Sequence, residues 1–362
     1  MVTKIDRGLL EFLSCKPDNL LPWQQMPWQK QLPRQQSMLM WPITALVGGI
    51  ILLVISADKF VDGAAATAKR LGLPPLLIGM IVIGFGSSMP EMVISALSAL
   101  KGNPGIALGN AFGSNITNIA LILGVTAIIS PVVVSSSVVN RELPYLLGLT
   151  ALAAVLFYYD QELNQRDALI LIFVFVVLVS WTVYTGLKTK EDAWADEVEQ
   201  ELSEPLGMRV ALLYTVFGLV FLVISSRILV WGGVEVAEYF GISDLLIGLT
   251  IVAIGTSLPE LASSITAVRK NEHDLALGNI IGSNLFNTSI VLGITGIIAP
   301  TALEPGLLLW DFPVMAMLTI ALFVMAYNLR GPGKGMINRY EGIALILAYV
   351  AYNVLIGFRA FS

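Results

Sequence analysis

Two carboxylates stand where burial penalises them most. Glu91 closes the segment Gly86-Ser87-Ser88-Met89-Pro90-Glu91, and Glu260 closes Gly255-Thr256-Ser257-Leu258-Pro259-Glu260. Both segments lie inside strongly apolar stretches, where an acid at a helix centre costs at least ~2.5–3.5 kcal/mol. Neither stretch supplies an internal Lys or Arg to neutralise its acid. Such residues mark ion pathways, so Glu91 and Glu260 are candidate ligands of a cation that crosses a membrane.

Their neighbours fit that chemistry. Ser87, Ser88, Thr256 and Ser257 bring hydroxyls. Pro90 and Pro259 lack an N–H, so each helix should break just before its acid and start again. A break should free carbonyl oxygens such as those of Gly84 and Ala253, at a helix end with partial negative charge. Hydroxyl, carbonyl and carboxylate oxygens are hard donors that suit sodium and calcium, and no His or Cys stands by for zinc. A second pair of segments adds Asn110, Ser114, Asn115 and Asn118, matched by Asn279, Ser283, Asn284 and Asn287. Ser114 and Asn118 share a helix face, as do Ser283 and Asn287. Asn110, Asn115, Asn279 and Asn284 serve equally well as ion ligands or as hydrogen bonds between helices. Two carboxylates neutralise one divalent ion, and the six to eight oxygens that calcium takes can come from these groups. Without the ion, two adjacent buried acids cannot both stay charged, so protons are a second candidate for exchange.

The elements that must position these groups are membrane helices. Hydrophobic residues make up 56% of the 362 and charged residues 13%, with a mean hydropathy of +0.78. The apolar pattern predicts an all-α polytopic membrane protein with ten spans. They run over 41–68, 75–100, 105–129, 143–159, 167–187, 208–233, 244–269, 274–299, 312–329 and 341–360. Residues 1–40 read as a polar tail without a signal-peptide pattern, and Met38 and Met40 offer alternative starts. Residues 188–207 form an acidic linker that lacks the spacing of an EF-hand loop. The single Cys15 excludes a disulfide framework.

The two halves, 41–187 and 208–362, superimpose with a shift of 169 residues. Over 79–131 about two positions in five are identical, including Lys101 with Lys270, Asn110 with Asn279 and Pro131 with Pro300. Apolar composition alone does not reproduce shared Pro, Glu and Asn. Five spans per half make the second half inverted relative to the first. With both termini outside, the inward connectors carry most of the Lys and Arg, as the positive-inside tendency requires. Lys4, Arg7, Lys16, Lys30 and Arg34 in the tail oppose that orientation.

The doubled G-[ST]-S-x-P-E and G-[ST]-N-x-x-N segments resemble the two α-repeats of the cation/calcium antiporter superfamily, and within it bacterial sodium/calcium exchanger proteins. The resemblance spans 41–360. It implies two inverted five-helix repeats in the cytoplasmic membrane, around a central cluster of four ion sites. Glu91 and Glu260 would then share calcium with the carbonyls of Gly84 and Ala253 or of their neighbours. Sodium would take Ser87, Ser88, Ser114, Thr256, Ser257 and Ser283, and Asn118 and Asn287 would complete the cluster. Some relatives carry an acid where Asn287 stands, which leaves ion stoichiometry and any potassium dependence open. In the family the first and sixth helices slide against the rest, and Gly48, Gly49, Gly218, Gly232 and Gly233 suit such movement. The linker is too short for added calcium-binding domains.

The expected activity is therefore calcium/sodium antiport, with calcium/proton exchange and a cation channel as alternatives. Calcium, sodium and the lipid bilayer are the partners. No cofactor, nucleic acid or obligate protein partner is implied. A hydrolase built on Ser87 or Ser88 lacks a base, since the only histidine, His273, falls in a connector.

Overall fold

The computed structural model describes residues 40–71, 74–102, 104–188, 206–239, 253–327 and 335–361. The polar tail up to 39, most of the acidic linker and the first third of the seventh span lie outside these residues. The described residues are mostly helical, with α1 Met40–Leu71, α2 Pro75–Ser87, α3 Met89–Leu100, α4 Pro104–Ile129, α5 Val138–Asp160 and α6 Gln165–Lys188. The second half holds α7 Met208–Tyr239, the short α8 Ala253–Thr256, α9 Leu258–Arg269, α10 His273–Ile298, α11 Leu307–Ala326 and α12 Arg339–Phe361. Among the described residues, eight single helices are long and apolar enough to span a membrane. A ninth span is α2 with α3, bent by 42° at the Ser88 turn before Pro90.

Large apolar residues cover much of the outside, and polar residues lie buried within a largely apolar interior, as suits a chain surrounded by lipid. Ile50, Val54, Phe173, Phe221 and Leu347 are exposed, while Ser114, Asn115, Asn118, Ser283, Asn284 and Asn287 are buried. α4 and α10 occupy the centre: the apolar window of α10 is 83% buried, against 28% for α1 and for α7. Their sequences explain this, because small Gly, Ala and Ser residues admit neighbours on every side. α2 crosses α10 through glycine. A Cβ on Gly282 would lie 2.5 Å from the Met80 carbonyl oxygen, and one on Gly278 2.5 Å from that of Leu76.

α1 and α7 meet in the same manner, with Gly218 against the Phe60 backbone and Gly63 against Thr215. Gly49 faces Leu229, and Gly232 faces Pro42 and Leu46. The glycines expected to ease sliding against the core thus join α1 to α7 at three positions. Gly48 has open space beside it.

Four strands of two or three residues escaped the sequence pattern: β1 Val132–Val134, β2 Glu162–Leu163, β3 Thr301–Ala302 and β4 Gly335–Ile337. β1 pairs antiparallel with β4, and β2 with β3, so each half lends a strand to the other at both sheets. α5 runs from β1 to β2, which places the two sheets at opposite ends of that helix. α4 finishes at β1, and its counterpart α10 finishes at β3. The matching helices therefore end at opposite ends of the bundle. π-helical turns also recur at the repeat spacing, at Val138–Glu142 and Leu307–Asp311.

Candidate functional site

The bend between α2 and α3 aims one motif at the other. Ser88 Oγ donates to Glu260 Oε1 at 3.2 Å, and Ser257 Oγ donates to Glu91 Oε1 at 3.5 Å. Ser88 corresponds to Ser257, and Glu91 to Glu260, at the 169-residue spacing, so the contacts are two copies of one interaction. Thr256 lies beside Glu91, and Ser87 beside Glu260, in the same reciprocal sense. Ser283 Oγ reaches Glu260 Oε1 at 3.5 Å and Ser87 Oγ at 3.5 Å. Both acids are 1% exposed, and neither forms an ion pair with a Lys or Arg among the described residues.

Much of this donor set has no partner within the described protein. Glu91 Oε2, Glu260 Oε2, Asn118 Oδ1 and both side-chain polar atoms of Asn287 are buried without a hydrogen bond. Buried polar groups are normally satisfied, so these orphaned carboxylate and amide atoms call for a partner. Oxygens from two carboxylates, amides and hydroxyls suit a hard cation. His273 does not bring a base here. It opens α10 rather than lying in a connector, ten residues or about 15 Å along the helix from Ser283.

The asparagines divide by role. Asn110 Nδ2 donates to the Glu91 carbonyl at 3.2 Å and Ser95 Oγ at 3.0 Å. Asn279 Nδ2 repeats this on the Glu260 carbonyl at 3.1 Å and Ser264 Oγ at 2.9 Å, with Ser263 Oγ at 3.0 Å as a further acceptor. Asn279 Oδ1 also accepts from Ser87 Oγ at 3.0 Å. Asn115 bonds Thr288 Oγ1 at 2.8 Å, and Asn118 donates to Asn284 Oδ1 at 3.5 Å. Asn110, Asn115, Asn279 and Asn284 thus bond between helices, and Asn110 and Asn279 pin the backbone of each acid. Sequence reading passed over Ser95 and Ser264, although the 169-residue shift superimposes them. It also missed Ser226 of α7, whose hydroxyl donates to the Gly255 carbonyl at 2.6 Å.

The expected release of the Gly84 carbonyl is corrected by the structure. Gly84 O accepts the Ser88 N–H at 3.1 Å, since the missing N–H of Pro90 affects a later carbonyl. Ser257 N–H instead bonds Ile254 O at 3.1 Å, three residues back, in a tighter turn than its counterpart. Ala253 opens α8.

The sodium/calcium exchanger protein family matches residues 41–184 and 210–358. The chain belongs to this family. The exchanger chain is 44% identical to the "Putative antiporter CaxA" of Alkalimonas amylolytica, over 88% of its own length and 99% of that protein. It is 39% identical to the "Inner membrane protein YrbG" of Escherichia coli, over 86% of this chain and 95% of that one. Among solved structures it resembles the sodium-calcium exchanger NCX_Mj soaked with 10 mM Na+ and 10 mM Sr2+. The TM-score is 0.75 at 30% identity, covering 87% of this chain and 98% of that one. It is a multi-pass membrane protein of a cation/calcium antiporter family, and the family's work is transport rather than catalysis.

Proposed function

We propose that the chain exchanges calcium for sodium across the cytoplasmic membrane by alternating access, with 41–187 and 208–362 as inverted five-helix repeats and both termini outside. One observation carries this reading: the reciprocal contacts Ser88 to Glu260 and Ser257 to Glu91 bring an acid from each half into one buried cluster. Calcium binds between Glu91 and Glu260, whose Oε2 atoms await a partner. Their two charges neutralise a divalent ion, and the Ala253 carbonyl, with the second lone pair of the Gly84 carbonyl beside its helical hydrogen bond, completes its shell. Sodium ions replace it on Ser87, Ser88, Thr256, Ser257, Ser114 and Ser283, with Asn118 and Asn287 at the centre. The glycine-packed pair α1 and α7 is the moving element, linked to the site through Ser226 and Gly255.

Sodium-loaded vesicles containing the protein should accumulate labelled calcium when diluted into sodium-free buffer. Glu91→Gln and Glu260→Gln should each stop uptake, and uptake persisting in both variants removes the acids from the mechanism. Among the described residues neither acid has a basic partner, which supports a second reading, calcium/proton exchange. A pH gradient imposed without sodium separates the two, and calcium flux with no counter-ion at all would reveal a channel.

A further inference from the structure

Glu142 is a buried acid with no part in the ion cluster. Its side chain is 4% exposed, and its Oε2 has no hydrogen-bond partner among the described residues. It lines a cavity of about 440 Å³ between the first turns of α2 and α5 and the last turns of α6. Pro74, Leu76 and Leu77 form one wall; Thr182 and Thr185 stand on α6, and Ser136, Ser137, Asn140 and Arg141 ring the exposed mouth.

The other half shows what is missing. Asp311 is the counterpart of Glu142 at the repeat spacing, and each acid ends a π-helical turn. Asp311 Oδ1 accepts the Tyr352 hydroxyl at 3.0 Å. Asn164 caps α6 as Asn338 caps α12, and aligning the helices on these caps puts Leu178 where Tyr352 stands. The first half has no phenol at that place. Its acid faces a cavity instead.

We infer that this cavity binds the headgroup of an aminophospholipid, with the primary ammonium on Glu142, the phosphate on Arg141 and the glycerol end along Leu76 and Leu77. The volume far exceeds that of a bare ion. Glu142 is the single acid among the lining residues, too few ligands for a resident metal. The position at three helix ends corresponds to headgroup depth. A buried carboxylate needs a donor, and an ammonium supplies N–H bonds that a choline cannot. Arginine suits phosphate through its paired N–H groups.

The test reconstitutes the full chain with equimolar phosphatidylethanolamine and phosphatidylcholine, then reads retained lipid by native mass spectrometry. The wild type should retain phosphatidylethanolamine at least about tenfold over phosphatidylcholine, the scale of one charge-assisted hydrogen bond. Glu142→Gln should reduce that preference to near parity. Ser137→Trp, which plugs the mouth without touching the acid, should lower retention of the aminophospholipid and keeps the test decisive if the first variant does not fold. Competition by soluble phosphoethanolamine would show that the free headgroup suffices, and its failure beside a Glu142-dependent preference would restrict the ligand to the lipid. Equal retention of both lipids by the wild type, or a preference unchanged in both variants, overturns the proposal.

Discussion

The two halves present the same acid in the same reciprocal contact but brace it differently. In the second half Asn279 is buried and bonds the Glu260 carbonyl, Ser263, Ser264 and Ser87. In the first, Asn110 is half-buried and bonds only the Glu91 carbonyl and Ser95 among the contacts seen. Lys270 ties the end of α9 to α1 through Asp58 at 2.5 Å and Asp62 at 2.7 Å, whereas its counterpart Lys101 is exposed. At the position matching Asp58 the second half carries Arg227. The likeness is thus kept where the two acids meet and relaxed where helices meet one another. Under the proposed mechanism the first property keeps the site alike from either side, and the second gives the two access states different supports.

The largest expected effect tests the shared part. Glu91→Gln and Glu260→Gln should each reduce sodium-driven calcium uptake by about 100-fold or more, since each removes a charge from a desolvated site. Unequal losses, with one variant near wild type, would break the equivalence of the halves. Next comes the glycine crossing. Gly282→Ala should destabilise the protein by about 1–3 kcal/mol, because its Cβ would strike the Met80 backbone. Gly148→Ala on α5, with open space around it, should stay within about 0.5 kcal/mol in the same thermal unfolding assay in detergent.

The asparagine braces sharpen the difference between halves. Asn279→Ala should lower stability by about 1–3 kcal/mol and Asn110→Ala by less, read from paired melting curves. The smallest effect belongs to Lys270→Met, within about 1 kcal/mol, with Lys101→Met indistinguishable from wild type. Burial disfavours the charged Lys270, but the hydrogen bonds it donates to Asp58 and Asp62 outweigh it and raise its pKa above the ordinary lysine value. A raised pKa stabilises the fold fully below the unfolded value and fades as pH climbs through the folded one. The gap between Lys270→Met and wild type should therefore hold from pH 7 through pH 9 and close only above the ordinary lysine range.

Much of this was legible in the chain because repetition leaves a strong signal. The apolar runs predicted α1, α4, α6 and α12 to within a few residues, and Pro90 marked the bend at Ser88. Glu91, Ser88, Ser257 and Glu260 were singled out by type and spacing alone, and they are the residues that meet. What could not be read was geometry below the resolution of a pattern. Strands of two or three residues carry no alternation, so the exchanged sheets were invisible. The fate of the Gly84 carbonyl depends on which turn the missing Pro90 donor affects, a matter of one residue. Ser95 and Ser264 were overlooked because a serine in a membrane helix is ordinary until its asparagine partner is known. Glu142 drew no notice in the sequence because it stands at the edge of a span, where acids are common.

The central claim is that one ion is held by both halves together. A double-mutant cycle on calcium affinity, measured by calorimetry on the purified protein and on Glu91→Gln, Glu260→Gln and the combined variant, tests it directly. Either single change should remove most of the binding free energy, so that the second change adds little. Two independent losses that sum in the double variant, or a single variant with wild-type affinity, would place the acids in separate sites and contradict the account.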